Sequence, residues 1–152
     1  MSNTCLLIVG FVLGIIGSIL ATVIYSGIHT RKIMSRNREY FTPFQGSYEH
    51  KQLDKTSVEG TKTTIQYIEP NILQLVTTAS QKENNWMAKV FMNELSPETG
   101  SGTYEYENRE IPEWGLIEIK KSSNHNILLI KSTPTRQDLH PVEYMMVKKP
   151  SA

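Results

Sequence analysis

From Cys5 to Ile28 the chain carries no charged residue, and Leu, Ile, Val, Phe, Gly and Ala make up most of the run. Twenty-four residues of helix rise about 36 Å at about 1.5 Å each, enough to cross a hydrocarbon core of about 30 Å. A cleaved secretory signal is the alternative. It would bring a basic leading region, an apolar stretch of about 7–15 residues and a small-residue cleavage site. Residues 1–4 have no basic side chain, the apolar run is longer, and no A-x-A site follows it. The run is therefore read as a transmembrane helix over residues 5–28. The remainder is polar, which is why the mean hydropathy of the whole chain is only −0.33.

The flanks set the expected orientation. Arg31, Lys32, Arg36 and Arg38 follow the helix at once, and the preceding flank offers only the amino group. The positive-inside rule then keeps the C-terminal flank in the cytoplasm, where the basic collar can rest on anionic headgroups of the lipid bilayer. The expectation is a single-pass protein of the cell inner membrane with a cytoplasmic C-terminal domain. Cys5, the single cysteine, sits at the membrane edge and gives no disulfide framework. Within the helix Gly10, Gly14 and Ser18 recur every fourth residue. Thr22 extends this stripe, and Gly17 and Ala21 lie beside it. Small-xxx-small stripes let helix backbones approach closely in lipid, so Gly10, Gly14 and Ser18 are the expected packing surface of a homo-oligomer. Glycine is also common in membrane helices without any such role.

Residues 29–45 are read as a basic cytoplasmic collar and linker, ended by Pro43. The span 46–149 suffices for one small domain. From Glu39 onward there are 12 basic and 15 acidic residues, a net charge of −3. That balance argues against binding long nucleic acid, which needs dense positive charge. Hydrophobicity alternates with a period near two through GSYEHKQL (46–53), TKTTIQYI (61–68), ILQLVTTA (72–79), NWMAKVFMN (85–93), GTYEYEN (102–108), WGLIEIKK (114–121), NILLIKST (126–133) and VEYMMVKK (142–149). Glu69-Pro70-Asn71 reads as a turn, and the other connections are also short and turn-like. Short helical turns are expected, if anywhere after residue 40, in 93–100 or 134–140. The expected fold is one N-terminal transmembrane helix plus an all-β antiparallel domain of about eight strands. Closure into a small meander barrel would set 142–149 beside 46–53 and remove the exposed edges. An open curved sheet or a sandwich is the alternative.

Catalytic and metal chemistry leave little trace. His29, His50, His125 and His140 stand apart in sequence, with no zinc-ligand spacing and no paired cysteines. Gly100-Ser101-Gly102 has no helix behind it to make a phosphate cradle. Glu105 and Glu107 share one strand face and Tyr104 and Tyr106 the other, which reads as carboxylates out and aromatics in. No enzyme activity, cofactor or metal site is expected. Tyr48, Tyr67, Trp86, Tyr104, Tyr106, Trp114 and Tyr144 spread aromatic rings over most strands. Lys62, Lys89, Lys120, Lys121, Lys131, Arg136, Lys148 and Lys149 supply the cations. Aromatic faces can stack bases, and Lys or Arg can meet phosphates. For a single aromatic, core packing is the competing role, and for a single lysine, a solvated strand face.

The layout of an apolar helix with spaced glycines, the basic collar RKIMSRNR and a β-domain of about eight strands resembles the small membrane-anchored effectors of prokaryotic antiviral defence. These include the cyclic-oligonucleotide-activated β-barrel type and the small membrane proteins associated with type III CRISPR systems. The barrel-type effectors commonly have more than the one helix read here, and no residue is carried over by motif. The resemblance implies a cytosolic domain that binds a cyclic nucleotide and a helix that oligomerises to perturb the inner membrane. Candidate ligand-binding residues, chosen for stacking or polar capacity, are Lys62, Trp86, Lys89, Tyr106, Lys120 and Arg136. FQGSYEH also resembles the G-x-W opening of lipocalin-like barrels, with Tyr48 in the tryptophan position and Lys148 or Lys149 near the basic site of the last strand. That resemblance implies a barrel and, in such proteins, an apolar ligand. A membrane-tethered scaffold or protein-interaction module is the competing reading, and a barrel-type small-molecule carrier the third.

Overall fold

The computed structural model describes residues 3–54, 57–68, 70–107, 113–124 and 126–150. Glu69 of the expected turn, Asn108 of the expected fifth strand, residues 109–112 and His125 lie outside the described residues. The chain divides into two compact units between Arg36 and Asn37.

The first unit is helix. α1 runs Asn3–Phe41, and among the described residues it alone is long and apolar enough to cross a membrane. The residues expected to form a collar and linker do not open the chain. They prolong α1 to Phe41, and Thr42–Phe44 add a 3₁₀ turn with Pro43 at its start. Pro43 lacks an amide hydrogen, which costs nothing in a first turn where that hydrogen has no intrahelical partner. The apolar signal fades before the helix does, because Arg31, Lys32, Arg36 and Arg38 are good helix formers although polar.

In the second unit eight antiparallel strands form a closed barrel in sequence order. They are β1 (Gly46–Lys51), β2 (Ser57–Ile68), β3 (Ile72–Thr78), β4 (Trp86–Met92), β5 (Thr99–Tyr106), β6 (Trp114–Lys121), β7 (Ile127–Pro134) and β8 (Val142–Lys148). Closure is made by β1 and β8, in a register from Tyr48 opposite Lys148 to Lys51 opposite Met145. The strands fall where the period of two places them, with β2 and β5 each starting earlier than expected and β1 ending earlier. The short helical turns lie elsewhere than expected. They are at Thr42–Phe44 and Lys82–Asn84, not in 93–100 or 134–140.

Every second side chain enters the barrel. Ile65, Leu73, Leu75, Val90, Met92, Ile117, Ile119, Leu128, Ile130 and Met146 are buried there. Each such burial is worth about 1.5–3 kcal/mol relative to exposure. Gly102 marks a close approach on β5, where a Cβ would run into the Lys89 carbonyl of β4. The two ends of the barrel differ in kind. One is plugged by the chain that enters it. Phe41 and Phe44 are buried with the core, Phe41 meets Tyr67 at 6.0 Å between ring centres, and the Lys121 ammonium lies 5.6 Å from the centre of the Phe44 ring. The Tyr48 hydroxyl donates to the Phe44 carbonyl at 2.8 Å, and burial pushes that phenol up to about 12. Lys148 Nζ donates to the Pro43 carbonyl at 2.7 Å while its stem crosses Gly46. Gly46 has φ +142°, and a Cβ there would stand 2.8 Å from Lys148 Cε, so only glycine fits. Asn37, buried, donates to Glu94 Oε1 at 3.0 Å and ties the end of α1 to the β4–β5 connection.

Candidate functional site

At the opposite end the described residues leave the barrel open. The mouth holds a cavity of about 290 Å³ bounded by His50, Thr61, Trp86, Tyr104, Tyr106, Ser132, Val142 and Tyr144, with Asn84 from the β3–β4 connection at its edge. That volume is at the low end of ligand pockets, about 300–1,000 Å³, and limits an occupant to roughly one fused ring system. Parity explains the lining. Tyr48 points inward, so His50 two residues on does too. Trp86 and Tyr106 are direct cross-strand partners and share the inner face, as do Thr63 and Thr77.

Two substructures meet at His50. The first is a polar chain sealed in the wall. His50 Nε2 lies 2.5 Å from Thr63 Oγ1, which lies 2.6 Å from Thr77 Oγ1, and both threonines are fully buried. The second is aromatic. The His50 ring stacks on Tyr144 at 4.9 Å and 19°, and Trp86 approaches it at 6.2 Å with a tilt of 57°. Trp86 then meets Tyr104 edge-on at 6.3 Å, and Tyr104 meets Tyr106 edge-on at 5.9 Å. Such edge-to-face and offset arrangements suit the ring quadrupoles and hold each plane in place.

The electrostatics of the described lining are those of a neutral site. Among the described residues, no lining side chain carries a carboxylate, an ammonium or a guanidinium. Burial takes His50 down to about 4, so the imidazole is uncharged at neutral pH. Burial raises the Tyr144 phenol above its ordinary value, and the neighbouring phenols of Tyr106 and Tyr104 add to the rise. Among the described residues no group of three or more His, Cys, Asp or Glu side chains comes together in a way that would hold a metal ion.

The six sequence candidates therefore separate. Trp86 and Tyr106 face the mouth, and Arg136 belongs to the β7–β8 connection at the same end, paired with Asp138 at 2.5 Å. Lys62, Lys89 and Lys120 are exposed on the outer wall. Lys62 stands opposite Glu49, whose carboxyl is held down by its hydrogen bond to Lys149 at 2.5 Å. Lys89 sits in a shallow groove with Met87, Thr103, Glu105 and Trp114. Lys120 borders a larger outer concavity of about 460 Å³, where Lys120 and Lys131 are matched by Glu118 and Glu143. Among the described residues no cavity combines the lysines with Trp86 and Tyr106. Trp86 and Lys89 are three residues apart on one strand, and an odd spacing puts them on opposite faces.

His50, Thr63, Thr77, Tyr104 and Tyr144 belong to the site and were absent from the sequence candidates. Tyr104 and Tyr144 were visible as inward or possible stacking aromatics. His50 was countable from Tyr48, but its threonine partners come from two other strands and needed the register. Gly10 and Gly14 lie in α1 with nothing within 4 Å of a Cβ at either position, and Ser18 accepts through its carbonyl the Thr22 hydroxyl at 2.9 Å. Comparison with protein families, curated proteins and solved structures finds no match to this chain.

Proposed function

We propose that the protein is a membrane-anchored, non-enzymatic sensor whose barrel mouth takes a small, flat, uncharged ring, with a nucleobase of a cyclic oligonucleotide as the ligand of first choice. One observation carries this reading: aromatic faces line a cavity of about 290 Å³ in which no described residue places a charged side chain. Stacking on such faces contributes about 1–3 kcal/mol per base. Anionic phosphate has no partner inside, since burying it unpaired would cost far more than stacking returns. On this reading the base enters the mouth and the phosphates stay in water at the rim, near Arg136. His50 is a neutral ring backed by two threonine hydroxyls, with no carboxylate behind it, which suits recognition better than acid–base chemistry.

α1 anchors the sensor as a single pass of the inner membrane, with the barrel in the cytoplasm as the basic collar directs. Ligand that favours an assembled state would gather copies of α1 through Gly10, Gly14 and Ser18 and perturb the bilayer in antiviral defence. The test is titration of the full chain in lipid nanodiscs with cyclic di-, tri- and tetra-adenylate and their guanine-containing analogues. Saturable binding that Trp86→Ala weakens supports the reading. Absence of binding to all of them at high micromolar ligand removes cyclic nucleotides as the ligand class.

The outer wall favours a second reading, a membrane-tethered interaction module. Trp114, Leu116 and Phe91 are each more than half exposed on β6 and β4, and Leu95 in the β4–β5 connection is 97% exposed. Aromatic side chains of this kind are typical interface anchors. Substituting Trp114 and Leu116 would abolish partner capture under this reading and leave ligand binding intact under the first.

A further inference from the structure

Resting on the mouth as a ligand site, we infer that His50 presents an Nδ1–H donor to the cavity and selects a flat ring carrying a hydrogen-bond acceptor on its edge. The buried hydroxyl hydrogens decide which ring nitrogen carries the proton. Thr63 and Thr77 are fully buried, and each hydroxyl has one hydrogen to place. Thr77 Oγ1 has one partner, Thr63 Oγ1, and Thr63 Oγ1 has two, Thr77 Oγ1 and His50 Nε2. Two directions are available. If Nε2 carried the proton and donated to Thr63, one threonine hydrogen would be buried with no acceptor: that of Thr77 if Thr63 donates to it, or that of Thr63 if Thr77 donates to Thr63. Such an orphan costs about 1–3 kcal/mol. If Thr77 donates to Thr63 and Thr63 donates to Nε2, every buried hydrogen is used. The second direction wins, and it makes Nε2 the acceptor. The neutral ring then holds its proton on Nδ1.

Nδ1 itself is not sealed in the wall. Among the described residues Ser47 Oγ is the sole side-chain polar atom that is both sealed and unpartnered. Nδ1 has no protein partner, so it reaches the cavity that His50 lines. Its ring plane is fixed by the stack on Tyr144. A donor of fixed direction in an aromatic pocket discriminates between rings of one shape. It rewards an edge nitrogen or carbonyl and penalises a C–H or N–H at the same place.

The test uses the full chain in lipid nanodiscs, with histidine labelled in the ring nitrogens, at pH 7.5. Long-range proton–nitrogen spectra separate the two tautomers directly. The expected His50 signal is neutral and protonated on Nδ1, in wild type and in Thr63→Ser. In Thr63→Val that preference is lost. The probes are benzimidazole and indole, two flat bicycles that differ in one ring atom, an acceptor nitrogen in the first and a C–H in the second. Benzimidazole is expected to bind about three- to tenfold tighter, the worth of one hydrogen bond in a site of this kind. The ratio falls toward one in Thr63→Val and returns in Thr63→Ser. Proton on Nε2 in wild type overturns the inference. So does equal binding of the two probes, which leaves the mouth as a ligand site but without this selectivity. No binding of either probe removes the inference together with the mouth as a receptor for flat rings.

Discussion

Acidification from pH 8 to pH 5 should destabilise the barrel through His50, and the size of the loss follows from its burial. An unfolded histidine titrates at about 6.5, whereas His50 in the fold titrates at about 4. The folded value is the lower one, so folding opposes protonation. Above pH 6.5 the ring is neutral in both states and nothing is lost. As the pH falls through 6.5 the unfolded chain takes up a proton that the folded chain refuses, and stability declines until the pH nears 4. A gap of about 2.5 units is worth about 3 kcal/mol in full, of which about 2 kcal/mol is gone by pH 5. Among the described residues no charged side chain lines the mouth to offset this. Glu49 and Asp138 have depressed carboxyls, held down first by hydrogen bonds from Lys149 and Arg136. Their contributions are lost at lower pH, through the carboxylate range, so pH 5 isolates the histidine. Urea denaturation of residues 37–152 at pH 8, 6.5 and 5 measures the loss. His50→Phe keeps a flat ring against Tyr144 and cannot titrate. It should be less stable than wild type at pH 8, because Thr63 loses its acceptor, and its stability should change little down to pH 5. A wild-type loss no larger than that of His50→Phe would refute the reasoning and mean that the fold does not oppose protonation of His50.

Phe44→Ala should cost about 3–5 kcal/mol in the same denaturation, since the ring is buried in the plugged end and its loss leaves a cavity under the Lys121 ammonium. Trp86→Ala should weaken binding of a stacking ligand by about 1–3 kcal/mol, while Lys62→Glu and Lys89→Glu on the outer wall should leave it within about twofold; calorimetric titration separates the two patterns. Gly10→Leu with Gly14→Leu should reduce crosslinked oligomers in membranes without unfolding α1, because leucine is a good helix former and a Cβ at either position has nothing within 4 Å beyond the helix's own backbone. A reporter fused after Ala152 should be active only as a cytoplasmic reporter, and protease digestion of the barrel in intact spheroplasts would reverse the orientation.

The strands were legible because alternation of apolar and polar residues is written locally. Ile117 and Ile119 are buried and Glu118 and Lys120 exposed, as residues 117–120 spell out. Even the closing pair of β1 and β8 follows once eight strands in a meander must hide two edges. The plug was not legible. Phe41 and Phe44 follow a charged collar and precede the first strand, and nothing local says that they belong to the core of the barrel. That assignment depends on Tyr48, Tyr67, Lys121 and Lys148, which are far apart in sequence and meet only on closure.

The site was half legible, and the missing half shows what local pattern leaves unused. Residue types were weighed for stacking and for charge, but a strand also imposes parity. On β4 the same alternation that located the strand also forbids Trp86 and Lys89 from touching one ligand. On β1 it sends His50 inward with Tyr48. Applying parity to every candidate before grouping them by chemistry would have removed the lysines from the aromatic site and admitted the histidine. What parity cannot supply is depth along the barrel axis, which decides whether an inward residue joins the packed core or the open mouth. Tyr48 and His50 are two residues apart on one face. The first donates to Phe44 in the plugged end, and the second stacks on Tyr144 in the mouth. Depth is set by the stagger of all eight strands, a property of the closed sheet rather than of any segment. A step of two residues along β1, about 7 Å, thus separates a structural hydrogen bond from a ring poised to meet a ligand.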